Sequence, residues 1–336
     1  MNSREKIRKI FERNSSGETG FWTGSPHPET VELYKKQLHV ADQEGIFQYL
    51  NDDCRHVPAN AVYLHPEGRP PFDTTAGKPR LSHSQPGCFA ECTDLGEVAK
   101  FPWPNPEYLD FDGLLKEIGN HPDKYILSGL WSPFFHRVSD FFGMENYFTK
   151  MYTDPEIVEA VTDRVVDFFV VANDRLFAQA GDKVDAFFFG NDFGSQLDLL
   201  ISPEMFEKFV LPGFRRLIAV AKRHEKKVLL HSCGSIYKVI PDLIEAGIDA
   251  LHPLQAKAAN MDAVTLAREF KNDIAFVGGV DTQALLVHAT PEEVKEEVGR
   301  LRGLLGPNWV VSPSHEALLP NVPLANVIAM AQAARE

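Results

Sequence analysis

Six short apolar segments, each followed by an amphipathic helical pattern, constrain the fold of this chain more than any other feature. They occur in the order KYILSGLW (124–131), VDAFFFGND (184–192), KVLLHSCG (227–234), IDALHPLQ (248–255), DIAFVGGVD (273–281) and NWVVSPSHE (308–316). Apolar strands that alternate with helices are typical of a parallel sheet covered by helices on both faces. With one or two further units expected earlier in the chain, we predict an α/β fold, a (β/α)8 TIM-type barrel. A doubly wound open sheet is the alternative, and it is less favoured because no G-x-G-x-x-G fingerprint opens any unit.

The first third of the chain has a different texture and is predicted to be a helical and loop-rich extension of the same domain. Residues 56–106 contain few periodic apolar segments and many prolines, at positions 58, 66, 70, 71, 79, 86, 102, 104 and 106. Phe89, Phe101 and Trp103 in this stretch indicate an ordered excursion over one face of the fold. We expect a single domain over 1–336, in which 1–107 hold the extension and the first barrel elements and 108–336 hold the regular βα units.

Composition points to an enzyme that acts on a small molecule. The chain has 34 Lys+Arg against 47 Asp+Glu and a net charge of −13, which argues against nucleic acid or an anionic membrane as a partner. No run of about eighteen apolar residues occurs and the N-terminal stretch is charged, so we expect a cytoplasmic protein. Four cysteines in so long a chain do not form a disulfide framework. Cys88 and Cys92, in CFAEC, lack a second pair at zinc-finger spacing and are interpreted as structural.

Polar side chains concentrate at the carboxyl ends of the predicted strands. They are Asn191, Asp192 and Gln196, then His231 and Cys233, then His252 and Gln255, then Asp281 and Thr282, and finally His315 and Glu316. In a (β/α)8 barrel these strand ends build the active site, so we expect the side chains to share one cavity. For any one of them, hydrogen bonding to a loop is an equally good explanation.

His231 and Cys233 form the most specific pair among these residues. They are two positions apart on a strand, so their side chains point to the same face and can meet one ion. Zinc favours nitrogen and sulfur ligands, and a catalytic zinc site takes three protein ligands and leaves a fourth position open. His315 is the candidate third ligand, with Asp192, Glu316 and His252 as alternatives. The competing interpretation is a buried thiol beside a hydrogen-bonded histidine.

The C-terminal half of the chain resembles the uroporphyrinogen decarboxylase superfamily. The resemblance rests on NDFGSQLDLLISPEMFEKFVLPGFRRLI, HSCGSIYKVIPDLIEAGIDALHPLQ, FVGGVDTQALLVHATPEEV and VVSPSHEALLPNVPLANVIAMAQAA, which follow the order and spacing of that family's last strand-helix units. The resemblance implies a TIM-type barrel and one of two chemistries, decarboxylation of a tetrapyrrole or corrinoid-dependent methyl transfer.

The residues of the decarboxylase branch are poorly matched. That branch carries an arginine-rich N-terminal motif for substrate carboxylates, whereas the corresponding stretch here, GFWTGSPHPETVELY (20–34), has no arginine. The mid-chain segment SPFFHRVSDFF (132–142) offers no counterpart of the catalytic tyrosine, and Asp53 is a loose match for the catalytic aspartate.

The methyltransferase branch holds zinc with H-x-C and a distant cysteine. His231 and Cys233 fit that pattern, but His315 stands where the methyltransferases have cysteine and the decarboxylases have histidine. A His-Cys-His set remains chemically adequate for zinc.

The resemblance therefore implies a zinc-dependent methyltransferase or demethylase that moves a methyl group from a small methylated or methoxylated substrate to a corrinoid (cobalamin) on a separate partner protein. The chain contains no D-x-H-x-x-G corrinoid module. His231, Cys233 and His315 are the expected metal ligands. The expected catalytic residues are Asp192, His315 and Asp281, and the expected substrate-binding residues are Asn191, Gln196, His252, Gln255, Trp22 and Arg55. Asp192 is expected to donate a proton or to orient the substrate, and a homodimer is possible.

Two alternatives stay open at this stage. The first is a metal-free decarboxylase in which His315 works with Asp53 or Asp192, and it requires cations that face inward, for which Arg55, His56, His136 and Arg137 are the candidates. The second is a non-catalytic binding protein that has kept the barrel.

Overall fold

The computed structural model describes residues 1–59, 62–75, 77–315 and 317–336. Its strands are β1 (Gly20–Phe21), β2 (Cys54–Pro58), β3 (Val62–Tyr63), β4 (Leu109–Asp110), β5 (Tyr125–Gly129), β6 (Ala186–Gly190), β7 (Lys227–His231), β8 (Ala250–His252), β9 (Ala275–Val280) and β10 (Trp309–Pro313). All six segments predicted from the sequence contain a strand, and β1 and β2 supply the two earlier units.

Eight of these strands form one parallel sheet that is nearly closed as a barrel. Its order is β1-β10-β9-β8-β7-β6-β5-β2, and every pairing in it is parallel. At the seam between β1 and β2, the backbone N–H of Asp53 donates to the carbonyl of Phe21 at 2.9 Å, and the N–H of Phe21 donates to the Asp53 carboxylate at 2.9 Å. The prediction of a (β/α)8 TIM-type barrel is confirmed, and the open doubly wound sheet is excluded.

Helices surround this barrel and follow most of its strands. They are α1 (Ser3–Phe11), α2 (Pro28–Leu38), α3 (Gln43–Leu50), α4 (Leu95–Lys100), α5 (Asp112–Ile118), α6 (Phe134–Phe142), α7 (Met144–Thr153), α8 (Pro155–Ala180), α9 (Pro203–Phe209), α10 (Leu211–Arg223), α11 (Ile240–Ala246), α12 (Ala263–Phe270), α13 (Leu285–His288), α14 (Pro291–Leu305) and α15 (Leu324–Ala333), with short 3₁₀ turns at Pro106–Tyr108, Gly181–Lys183 and Tyr237–Val239. Helices α2, α8, α9 and α14 begin with Pro-Glu. Proline loses no hydrogen bond at the first helical position, and glutamate complements the positive end of the helix dipole.

Among the described residues, no helix is both long enough and apolar enough to cross a bilayer.

The alternation of side chains along each strand creates two apolar layers. Inward-facing residues such as Tyr125, Leu127 and Phe188 fill the barrel, whereas outward-facing residues such as Ile126 and Phe187 pack under the helices. Because successive side chains on a strand point to opposite faces, the barrel interior is a packed core and not a pore.

Helix α1 closes the amino end of the barrel. Its residues Ile7, Ile10 and Phe11 belong to the same buried cluster as the inward-facing strand residues. Lys6 reaches Asp53 at 2.7 Å, and Arg4 reaches Asp185 at 2.8 Å; both acids lie just before a barrel strand. With this end occupied by a helix, the opposite end, where the strands finish, is available for a site.

The proline-rich stretch packs as an excursion on the outside of the barrel. β3 pairs antiparallel with β4, and the ring of Phe89 stacks on Phe141 of α6 with 5.5 Å between the centroids. The rings of Phe101 and Trp103 also contact Phe141, with 5.3 and 5.1 Å between the centroids. These aromatic contacts order the stretch against α6.

Candidate functional site

Three possible metal-ligating side chains meet at the carboxyl end of the barrel. Asp192 follows β6, His231 ends β7 and Cys233 lies two residues later, and their ligand atoms all lie within 4.8 Å of one another. The Cys233 Sγ is 3.5 Å from the His231 Nε2, which is also 3.5 Å from the Asp192 Oδ1. The structure therefore brings the H-x-C pair together with Asp192, which the sequence analysis named as an alternative third ligand.

The loop after β7 holds Cys233 in place through backbone hydrogen bonds and one obligatory glycine. The N–H of Cys233 donates to Asp192 Oδ1 at 2.8 Å, and the N–H of Gly234 donates to Gln255 Oε1 at 2.6 Å. Gly234 has φ +83°, and a Cβ there would lie 2.4 Å from the carbonyl oxygen of Gly194. Only glycine accommodates both the positive φ and the close carbonyl oxygen, so the turn requires glycine directly after Cys233. Gln255, predicted to bind substrate, lies beside this loop.

His231 is hydrogen-bonded on its other side to His252. The two Nδ1 atoms are 2.9 Å apart, at paired positions of β7 and β8. His252 is fully buried, and its ring centroid lies 5.1 Å from that of Trp22, which is itself 1 % exposed. Burial, together with the nearby charges of His231, His315 and His56, holds the pKa of His252 well below its usual range. His252 is therefore neutral at physiological pH.

Aromatic rings form one wall beside the cluster. Trp131, directly after β5, is 39 % exposed, and its ring centroid lies 5.3 Å from His231 and 5.3 Å from Phe188. His56, on the inner face of β2, contacts Phe188 at 4.9 Å. A Cβ on Gly190 would lie 2.3 Å from the Trp131 ring, so the absence of a side chain there lets the indole lie across the strand end.

Asp192 and His136, two titratable side chains at the cluster, both have pKa values below their usual range. Burial raises the pKa of Asp192, but the hydrogen bond and charge of His231, with the backbone N–H of Cys233, bring it below its ordinary value overall. Asp192 is therefore ionised at neutral pH, which favours orientation or metal ligation over proton donation. His136 accepts the backbone N–H of Asp192 at its Nε2, 3.2 Å away, and burial lowers the pKa of His136.

Two predicted catalytic residues lie at strand ends but outside the three-residue cluster. His315 follows β10, accepts the backbone N–H of Ala317 at 3.1 Å and is close enough to His252 to affect its pKa, yet it is not one of the three clustered ligands. Asp281 follows β9, and its carboxylate accepts the backbone N–H groups of residues 283, 284 and 285. Glu316, the remaining alternative ligand, lies outside the described residues.

The remaining predicted substrate-binding residues are placed apart from the cluster. The Asn191 amide is buried and joins the backbone of Ser132 and Phe135, so it fixes the start of α6. Gln196 is exposed. Arg55 points outward from β2, because its neighbours Cys54 and His56 point inward. Its guanidinium pairs with Glu44 at 2.8 Å.

His56, His136 and Trp131 are not among the residues of the metal-dependent site that the sequence predicts. Trp131 ends the segment KYILSGLW, so the strand-end rule that selected the other residues would also have found it. His56 could have been found by counting two residues from Cys54 along β2, since alternate residues share a face.

We predict that protein stability falls in mild acid because of His56. Burial and the nearby charge of His231 lower the pKa of His56 to about 4 from 6.5. A histidine with a lowered folded-state pKa contributes stability that is present above pH 6.5 and is lost as the pH falls toward 4, because only the unfolded chain gains the proton. Between pH 7 and pH 5.5 the free energy of unfolding is expected to fall by about 1 kcal/mol. Urea unfolding at both pH values should show it, and His56→Leu should reduce the pH dependence; an equal slope in both proteins would contradict the assignment.

Comparison with known proteins places this chain in a family. The family described as uroporphyrinogen decarboxylase (URO-D) matches residues 128–336, which is more than half of the chain. The methylated-thiol–coenzyme M methyltransferase of Methanosarcina mazei is 34% identical over 155 residues, which are 45% of this chain but only 38% of that protein. The methylcobamide:CoM methyltransferase MtbA of the same organism is 24% identical over 246 residues, 68% of each chain.

A solved structure shares the whole fold. It is a methyltransferase from Methanosarcina mazei that superposes with a TM-score of 0.66 at 15% identity, covering 99% of this chain and 98% of that one. At this identity the similarity shows the fold alone. Because the family match covers more than half of the chain, the chain belongs to the uroporphyrinogen decarboxylase (URO-D) family.

Proposed function

We propose that this protein is a zinc-dependent methyltransferase that moves a methyl group between a small methylated or methoxylated compound and a corrinoid carried by a separate protein. The observation that carries the proposal is the convergence of Asp192, His231 and Cys233 within 4.8 Å. The names of the relatives support it, because they act on a methylated thiol, on methylcobamide and on coenzyme M.

The donor set fits zinc. Zinc binds sulfur at about 2.3 Å and nitrogen or oxygen at about 2.0–2.2 Å, so two ligands of one tetrahedral ion lie roughly 3.3–3.7 Å apart. The Sγ–Nε2 and Nε2–Oδ1 distances are both 3.5 Å. Three protein ligands leave the fourth position for the substrate, as catalysis requires. When bound, the metal supplies a Lewis acid that stabilises negative charge on the substrate heteroatom.

The chain's own residues position the substrate. The reaction breaks the bond between the methyl carbon and its heteroatom, leaves the electron pair on the heteroatom and forms a carbon–cobalt bond with the pair of the reduced corrinoid. Trp131 and Phe188 offer an apolar surface on which a small methylated compound can lie beside the metal ligands. His315, which follows β10 at the same end of the barrel, is proposed to contact the substrate.

The electrostatics favour methyl transfer over decarboxylation of a tetrapyrrole. That alternative needs cations for several carboxylates, but Arg55 pairs with Glu44 and Arg137 lies 3.6 Å from Asp140. Burial lowers the pKa of both His56 and His136, so neither carries a charge at neutral pH. Asp53 lies before β2, at the opposite end of the barrel from the cluster.

The test combines metal analysis with two activity assays. Purified protein is expected to bind about one zinc per chain and, when loaded, to transfer the methyl group between free methylcobalamin and a thiol such as coenzyme M under anaerobic conditions, followed by the corrinoid absorbance. A panel of thioethers and methoxylated aromatic compounds with reduced cobalamin would then identify the methyl donor. Carbon dioxide release from uroporphyrinogen by zinc-free protein would instead establish the decarboxylase alternative.

We predict that Trp131→Ala raises the KM for the accepted small substrate about tenfold with little change in kcat. An aromatic contact contributes about 1 kcal/mol beyond its area, and a tenfold change corresponds to about 1.4 kcal/mol. Steady-state kinetics with Trp131→Phe as the matched control should show a smaller rise. An unchanged KM in the alanine variant would show that the substrate does not contact this wall.

A further inference from the structure

We propose that His252 is a positioning residue that sets the tautomer of His231 and thereby the affinity of the site for a cation. In the cation-loaded form, His252 accepts a hydrogen bond from Nδ1–H of His231, so that the Nε2 of His231 keeps its lone pair for the metal. This inference rests on the metal site proposed above and adds a residue outside the three-ligand cluster.

The hydrogen-bond geometry requires one shared proton. The two Nδ1 atoms lie 2.9 Å apart. At that distance one nitrogen donates and the other accepts, because two lone pairs or two N–H groups would repel each other. The contact is built into the sheet, since His231 and His252 are partners in the register of β7 and β8.

Burial prevents His252 from giving up this contact. The residue is 0 % exposed, with the ring of Trp22 at 5.1 Å and that of Phe188 at 5.4 Å. Its ring therefore has no route to solvent and stays aimed at His231. Metal-binding histidines commonly donate their second ring N–H to a fixed acceptor, which orients the ring and strengthens the ligand.

Two neutral arrangements of the pair are possible, and a cation selects one. In the first, His252 donates from Nδ1, and the Nε2–H of His231 points toward Asp192 and Cys233, each 3.5 Å away. In the second, His231 donates from Nδ1, its Nε2 is a lone pair, and His252 carries its proton on Nε2. Only the second can bind a metal through Nε2 of His231, so cation binding changes the tautomer of both rings without changing their charge.

The second arrangement carries a cost that tunes the affinity. The Nε2 atom of His252 is buried and has no hydrogen-bond partner among the described residues. A proton on that atom is a buried donor without an acceptor, which is unfavourable. His252 therefore both enables metal binding and limits its strength.

Zinc alone is the probe for the test, with the full chain and no corrinoid. Competition with a chromophoric chelator should show that His252→Phe, which keeps a ring but has no acceptor, binds zinc about 10- to 100-fold more weakly than the wild type. His252→Asn, whose Oδ1 can accept the same hydrogen bond without bringing a buried ring N–H, should retain wild-type affinity or exceed it. Leu229→Val, a packing change two residues before His231 on the same face of β7, is the matched control and should leave the affinity unchanged.

A spectroscopic readout covers the case in which His252→Phe does not fold. Nitrogen-15 NMR of histidine-labelled wild type should place a proton on Nδ1 of His231 in the zinc-loaded form, and on Nε2 in the zinc-free form. Wild-type affinity in His252→Phe, an equal loss in His252→Asn, or an unprotonated Nδ1 of His231 with zinc bound would overturn this inference alone. A wild-type chain that binds no stoichiometric zinc would overturn the proposed metal site and this inference with it.

Discussion

Replacing Cys233 with alanine is expected to remove zinc from the purified protein and to abolish methyl transfer. The Cys233 Sγ is the only sulfur among the three clustered ligands, and the two atoms that remain belong to His231 and Asp192. Two ligands do not hold a catalytic zinc, so the affinity should fall by at least about 100-fold. Metal content by mass spectrometry and affinity by chelator competition would measure the effect.

Matched variants separate the site from general effects of thiol loss. Cys88 is exposed and lies in the excursion away from the cluster, so Cys88→Ala should keep full zinc content. Asp192→Asn should weaken zinc binding strongly, whereas His315→Ala should weaken it little, because His315 lies outside the cluster. The reverse order would restore His315 as the third ligand, and full zinc content in Cys233→Ala would refute the proposed site.

The second large effect is expected at the other end of the barrel, where Phe11→Ala should lower the free energy of unfolding by about 3–5 kcal/mol. Phe11 is 1 % exposed on α1, and its ring meets Tyr125 edge-on with 5.2 Å between the centroids. Its removal leaves a cavity between the helix and the barrel interior, which the surrounding rigid strands cannot fill. Guanidinium unfolding followed by circular dichroism would measure the change.

The position of α1 also predicts what Phe11→Ala leaves intact. Because α1 covers the amino end of the strands and the cluster lies at the carboxyl end, zinc affinity of the folded variant should equal that of the wild type. Phe11→Leu, which leaves a smaller void, should cost clearly less stability. A loss below about 1 kcal/mol in the alanine variant would mean that α1 does not seal the barrel core.

The fold could be predicted from the sequence because its signal is local. Each apolar segment is long enough for one strand, and the following helix often opens with Pro-Glu. The strand-helix unit can therefore be recognised from residues that are close in the sequence. The same local pattern places His231 and Cys233 at the carboxyl end of one predicted strand. Neither β1 nor β2 is predicted individually from the sequence, and β1, with two residues, is too short to have a pattern of its own.

The identity of the site's third member could not be predicted in the same way. The sequence favours His315 as the third ligand with Asp192 as an alternative, and among the described residues it is Asp192 that lies within 4.8 Å of His231 and Cys233. Which of two strand-end residues reaches a shared point depends on loop geometry, here the turn at Gly234 and the hydrogen bond from the Cys233 N–H to Asp192. Arg55 illustrates the same limit, since its one-residue offset along β2 turns it toward Glu44 and the outer layer.

The sequence by itself determined the alternation of strands and helices, the order of the strands along the chain and the H-x-C pair, because each of these depends on residues only a few positions apart. The tertiary structure alone decided that Asp192 joins the pair, that His252 lies hydrogen-bonded behind His231 and that Trp131 lies beside them. These contacts join residues on different strands, and the closure and register of the sheet determine which strand ends become neighbours.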